Sequence, residues 1–440
     1  MDCRKRRSGW NRRWALALAG LLMAVLAPQA AAQRVSFHEA IELSLTRSAG
    51  MGMALADQIK ARQGFFEARA AYYPQVTFGS GMAQTWGYPM SIGGSAPSVF
   101  NINSQSFLLN LAQSRFVQAA RNETNAADYV LKSQRSATIL ETSLTYIQLT
   151  RIEDKLRWLE KEAQDAQQAE TISRDRLREG VDSKLDVTRA ELTGARVRMR
   201  MAEARGAADL LRQRLAQLTG VDARELSIDG GTIPAEPEVS QQDDYVERAL
   251  QNSPLVKATE QRARAREQRA RGEHNQLYPA VDLVGSYGLF TKYNNMDMLF
   301  PAGKFSRNNA TFGISIRFPF FNGPQRARAA AALADSLRAD KELQAAREQV
   351  ANDTLQLQRK LQQLAAARDV ARLEYELAAA DLEAAPERIQ TGAATIKDEQ
   401  NLRIAASEKQ AALIDAQIEL DRACLQLLRQ TDDLERWALP

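Results

Sequence analysis

The feature that most constrains this chain is a duplication. Glu42, Leu45, Ser48, Tyr73 and Pro74 recur as Glu247, Leu250, Ser253, Tyr278 and Pro279, each 205 residues later. Gly180 and Asp186 recur as Gly392 and Asp398, 212 residues later. Two copies of one plan must each reach a similar structure and then pack together, so the fold has to be one that tolerates internal repetition.

Within each copy the pattern changes period. A helical opening of about 20 residues leads into short alternating segments and then into a very long helical region. In the first copy Val76, Phe78, Met82, Trp86 and Tyr88 share a face opposite Gln75, Thr77, Gly79, Ala83 and Thr85, which predicts a strand over about 75–88. A weaker partner is expected over about 102–112, with Phe107, Leu109 and Leu111 on one face. The second copy predicts strands over about 280–291 and 309–320, the clearest signal being Phe312, Ile314, Ile316 and Phe318 against Thr311, Gly313, Ser315 and Arg317. Turn-rich loops follow at Pro89 to Asn103 and at Asn294-Asn295 with Pro301 to Asn309, polar and long enough to face water.

The helical regions carry apolar residues three and four apart. Ala137, Leu140, Leu144 and Ile147 start one seam, and Val370, Leu373, Leu377, Ala380 and Ala384 form another. At ~1.5 Å per residue a helix from Ser114 to Arg178 spans roughly 100 Å, longer than a compact domain of this size. Each long helix meets a short tip. In the first, Gly180, Val181, Asp182 and Ser183 fit a left-handed helix stop followed by a new cap, and Thr391, Gly392, Ala393, Ala394 and Thr395 repeat it. The tips are expected near 179–183 and 391–395, making two helical hairpins. The first copy then spans 33–220, a Gly/Pro-rich connector expected to be extended lies within 221–242, and the second copy spans 243–440. Pro386, inside the helical pattern, predicts a kink.

Residues 1–32 read as a secretory signal: a basic start through Arg13, an apolar run from Ala15 to Ala27, and Ala30-Ala31-Ala32 before Gln33. Without them Lys+Arg falls from 58 to 52 and Asp+Glu from 54 to 53, so a net charge of +4 becomes −1. The basic balance therefore belongs to the leader and gives no case for nucleic acid. Cys424 is the one cysteine beyond it, read as a small residue packed in a helix. His38 and His274, the only histidines, have no cysteine companions, and no phosphate loop or nucleophile elbow stands out, so neither a cofactor, a metal nor an enzyme is expected.

Four strands per chain cannot close a barrel, since small closed barrels have about 8, and open edges are not viable in lipid. Insertion therefore demands several copies, with the helices forming a tube beneath.

The opening Val35-Ser36-Phe37-His38-Glu39-Ala40-Ile41, the Tyr-Pro strand entries at Tyr73-Pro74 and Tyr278-Pro279, the exit Phe318-Pro319-Phe320-Phe321-Asn322-Gly323 and the duplicated glycine tips resemble the TolC family of outer-membrane efflux proteins. The resemblance covers essentially the whole chain beyond the leader. It implies a mainly α fold with a small β part: a homotrimer with a twelve-stranded outer-membrane barrel and a periplasmic helical tunnel. It implies a passive exit duct for small molecules or polypeptides in an efflux pump or type I secretion system. The implied partners are outer-membrane lipid, a periplasmic adaptor at the tips and, through it, an inner-membrane pump or secretion ATPase. It also implies a periplasmic constriction at Asp398. A second family aspartate, three positions on, is Asn401 here, which weakens or displaces an acidic ring. Asp186 and Asp398 equally fit capping boxes with Ser183 and Thr395. Trp86, Tyr88 and Tyr287 are candidates for an aromatic girdle, and Tyr73 and Tyr278 for either that or the helix–strand junction. The rival readings are a soluble periplasmic coiled-coil adaptor, which usually carries one hairpin flanked by small β-domains rather than two each introduced by a strand pair, and a structural coiled coil, which leaves the strands unexplained.

Overall fold

The computed structural model describes residues 33–81, 98–235, 244–290 and 306–439. The signal segment, Trp86, Tyr88 and most of both strand-linking loops lie outside them. A short strand β1 (Gln33–Val35) precedes helices α1 (Phe37–Arg47) and α2 (Ala49–Ala70), then strands β2 (Gln75–Gly81) and β3 (Ser98–Leu109). The first hairpin is α3 (Leu111–Arg178) and α4 (Lys184–Thr219). Strand β4 (Leu226–Ile228) and a 3-10 turn (Gly230–Thr232) lead to α5 (Tyr245–Asn252), α6 (Pro254–Asn275), β5 (Ala280–Phe290) and β6 (Asn308–Arg317). The second hairpin is α7 (Gly323–Gln390) and α8 (Ile396–Thr431), closed by α9 (Leu434–Ala438).

The duplication extends to element length: α3 and α7 both have 68 residues, and α4 and α8 both have 36. Both long helices begin on an asparagine cap, Asn110 accepting from Gln113 N–H (3.0 Å) and Asn322 from Gln325 N–H (3.1 Å). The side chains of those glutamines then donate to the preceding helix, Gln113 to the Ala68 carbonyl and Gln325 to the Glu273 carbonyl, fixing the angle at which each hairpin leaves the sheet.

Several sequence expectations are corrected. The second strand runs over Ser98–Leu109 rather than 102–112, because the Asn110 cap makes Leu111 the first helical residue. The fourth ends at Arg317 rather than 320, since Phe318 to Phe321 turn toward Asn322. Each opening helix is two helices, broken at Ser48 and Ser253. The connector is not simply extended: β4 pairs in parallel with β1, matching Val35 with Ile228. Pro386 stands inside α7, which spans Gly323–Gln390 on either side of it.

The core sits at mid-length around Phe37, Ile139, Tyr146, Leu149, Leu215, Leu425 and Leu434. Phe37 meets Tyr146 and Trp437 edge-on at 5.5 and 5.6 Å between ring centres. The Tyr146 phenol is the polar hub. It accepts from Asp229 N–H (2.9 Å), and its proton lies within reach of the carbonyls of Val35 (2.9 Å) and Asp229 (3.0 Å). Burial raises its pKa, which keeps that proton in place. One side chain thus ties α3 to β1 and to the connector, forming a girdle around the hairpins.

Candidate functional site

The antiparallel sheet has the order β2-β3-β5-β6, so β2 and β6 are edges. Its register puts Val76, Phe78, Phe100, Ile102, Leu283, Tyr287, Leu289, Phe312, Ile314 and Ile316 on one face, and Gln75, Thr77, Asn103, Gln105, Asp282, Ser286, Thr311, Ser315 and Arg317 on the other. Phe78 is 73% exposed and Phe312 79%. This face is mostly apolar, interrupted by Ser104 and Ser106, and among the described residues no helix packs extensively over it, which suits it to hydrocarbon. The charges keep to the opposite face, where the buried Asp282 carboxylate accepts from Arg317 (2.7 Å) and Gln105 (3.0 Å). Tyr287 belongs to the apolar face, its hydroxyl donating to Asn308 at 3.2 Å and its ring 5.8 Å from that of Phe100. Among the described residues no helix is long and apolar enough to cross a membrane.

Below the sheet the helices form a curved layer in the order α2, α3, α6, α7. The curvature can be read on α6. Ala258, Ala265 and Gly272 are buried, with Gly272 against the Phe116 ring of α3, while Val256, Ala263 and Ala270 follow the side that places Val256 with Val350 of α7. At ~100° per residue the shorter arc between those two sides carries Arg262, Arg266, Arg269 and Glu273, so these face the concave side. There Arg262 and Arg266 share a groove with Glu123 of α3 and with Asp335, Arg338 and Glu342 of α7. Both signs of charge alternate, giving a hydrated wall with no strong preference for either sign.

Farther down the layer becomes α4, α3, α8, α7. Arg403 of α8 reaches Asp165 of α3 (2.7 Å), and Arg200 of α4 bridges Glu162 (3.0 Å) and Ser407 (3.1 Å), joining the two hairpins. The outer edges are left apolar. Leu333, Leu337, Leu355, Val370, Leu373 and Leu377 are exposed along α7, and Ile59 and Phe66 of α2 with Leu192, Met199 and Leu210 of α4 along the other edge.

The two tips are built alike. Gly180 (φ 78°) and Gly392 (φ 74°) take the left-handed conformation, and Val181 N–H and Ala393 N–H bond back to the carbonyls of Arg176 (2.9 Å) and Arg388 (2.8 Å). Capping boxes follow. Asp186 accepts from Ser183 N–H (3.3 Å) and Asp398 from Thr395 N–H (2.8 Å), while each cap hydroxyl accepts the reciprocal N–H. Asp182 pairs with Arg176 at 3.0 Å, and Val181 is left 61% exposed. Asp398 and Asn401 are both exposed, one turn apart on α8. Tyr73 and Tyr278 stand in the turns between helix and strand, half exposed or more. The capping asparagines and their glutamines were missed in the sequence. The signal was present, because Asn110 and Gln113 recur as Asn322 and Gln325 at the offset of 212 already seen at the tips.

A family model described as "Outer membrane efflux protein" matches residues 40–221 and 245–431, most of the chain in two segments. A membrane protein from Pseudomonas aeruginosa shares the fold with a TM-score of 0.75 at 18% identity, covering 90% of this chain and 93% of that one. The outer membrane protein VceC from Vibrio cholerae does so with a TM-score of 0.73 at 20% identity, covering 90% and 95%. Protein CyaE of Bordetella pertussis is 27% identical over 290 residues, which is 65% of this chain and 60% of that relative's length.

Proposed function

The chain belongs to the outer membrane efflux protein family, and from that premise we propose that three copies assemble into a passive duct. The duct crosses the outer membrane and extends through the periplasm as an exit for an efflux pump or a type I secretion system. The observation that carries this reading is the two-faced sheet with two open edges. Lipid suits one face, water suits the other, and the edges β2 and β6 find no partner strand among the described residues.

The apolar edges of the helical layer support the same arrangement. The α7 edge and the α2/α4 edge are different surfaces, so each copy would present one to the next, a head-to-tail contact that closes into a ring. Two copies supply eight strands, and a barrel of about 8 is filled by its own side chains. Three copies, with twelve, form the smallest ring with an open bore. The tips then lie roughly 100 Å below the sheet, where the exposed Val181 and its counterparts on the second tip offer a docking surface to a periplasmic adaptor. Solute passage through such a bore needs no catalytic group.

Purified protein in planar bilayers should give stable unitary currents, and silent bilayers over a range of protein concentrations would overturn the reading. Asp398 serves its capping box, and in a ring its symmetry mates would crowd the axis as well. Asp398→Ala should then raise conductance or blunt block by divalent cations, whereas an unchanged conductance leaves it a cap alone.

A further inference from the structure

A cavity of about 790 Å³ lies at the girdle, between α3, the connector, α7 and α8. Its size is that of small-molecule sites, which fall at roughly 300–1,000 Å³. One wall is firmly placed. The connector is held by the Tyr146 hub, and at Gly230 it approaches α3 so closely that a Cβ would meet Thr150 at 2.6 Å. The cavity is therefore preformed, a condition for binding without a large ordering cost.

The lining decides the class of ligand. Most charged groups on it already face an opposite charge. Asp154 pairs with Arg157, Glu153 with Arg212 (2.8 Å), Asp421 with Arg151 (3.7 Å) and Arg368 with Asp369 (3.1 Å), while the Asp229 carboxylate accepts from Gly231 N–H (3.0 Å). Asp229 has no cationic partner among the described residues, so its carboxylate remains an acceptor for hydroxyl donors. The uncharged polar groups are Gln358, Gln362, whose carboxamide oxygen also accepts from Arg359 (3.3 Å), and Thr150, whose hydroxyl donates to the Tyr146 carbonyl (3.0 Å); Trp437, Leu361 and Leu425 add an aromatic and aliphatic lining. The Gln358 side chain makes no hydrogen bond among the described residues.

We propose that this cavity binds a neutral saccharide. A sugar ring has one face of polarised C–H bonds, which suits the electron-rich face of an indole, and a rim of hydroxyls that both donate and accept, as carboxamides require. The site is separate from the concave wall and the tips, and the proposal requires that its mouth stay open in the assembly proposed above.

The test is ligand-observed saturation-transfer NMR on the full-length protein, extracted in a detergent without a sugar headgroup. Chitotriose and maltotriose serve as probes, which separates recognition of an acetamido sugar from recognition of a plain glucan. Saturable binding of either probe is expected. Ala365→Trp, which fills the cavity, should abolish it, and Gln358→Leu, which keeps the helix and its volume, should weaken it at least fivefold with the melting temperature unchanged. The inference fails if neither sugar binds saturably, the result expected if a neighbouring copy covers the cavity. It also fails if binding persists undiminished in Gln358→Leu.

Discussion

The girdle and the sheet are built by opposite rules within one chain. At the girdle Phe37, Ile41, Ile139, Tyr146 and Leu215 are fully buried and the hub's hydrogen bonds all close within the chain. In the sheet Val76, Phe78, Phe312 and Ile314 remain exposed, and two strand edges have no partner among the described residues. The difference teaches where a subunit ends and an assembly begins. The girdle gives the chain its own fold, while the sheet and the outer helical edges have exposed apolar surface that, in the proposed assembly, lipid and further copies would remove from water.

The comparison can be broken most strongly at the girdle. Phe37→Ala removes a fully buried ring and should cost ~3–5 kcal/mol, so the variant should unfold at markedly lower denaturant in a fluorescence titration. A near-native midpoint would mean that the subunit depends on the assembly for its core. Next in size is the lipid face. Ile314→Arg should cost ~2–4 kcal/mol near the membrane midplane and deplete the outer-membrane fraction, while Thr311→Arg on the opposite face should leave insertion intact. Equal effects of the two would remove the assignment of faces. Leu373→Asp, on the exposed edge of α7, should shift detergent-extracted protein from oligomer to monomer by size-exclusion chromatography with light scattering while leaving helical content unchanged. The smallest effect belongs to the tips. Ser183→Ala and Thr395→Ala should each cost ~0.5–2 kcal/mol locally, read as faster proteolysis at that tip without loss of assembly.

The parts legible in the sequence were those with a local cause. The glycine tips were visible because only a left-handed stop followed by a cap explains Gly180 with Ser183 and Gly392 with Thr395. The fourth strand was visible because Phe312, Ile314 and Ile316 alternate against polar residues. What escaped notice depended on distant partners or weak local signals. Strands β1 and β4 are three residues each, nearly 200 residues apart, too short for a period to register. Leu111 continues an alternation by accident, and only the cap at Asn110 shows that the helix has begun. The breaks at Ser48 and Ser253 are hidden for the same reason, because the helical period resumes at once on either side. Tyr146 lies off the seam of Ala137, Leu140, Leu144 and Ile147, and its role appears only when Val35 and Asp229 arrive beside it.

The central claim is that identical subunits pool their four strands into one membrane wall. Single-particle imaging of protein extracted from outer membranes tests it most directly. The account predicts a threefold particle with a closed twelve-stranded barrel continuous with a helical shaft of roughly 100 Å. A population of isolated chains with the sheet edges open would contradict it.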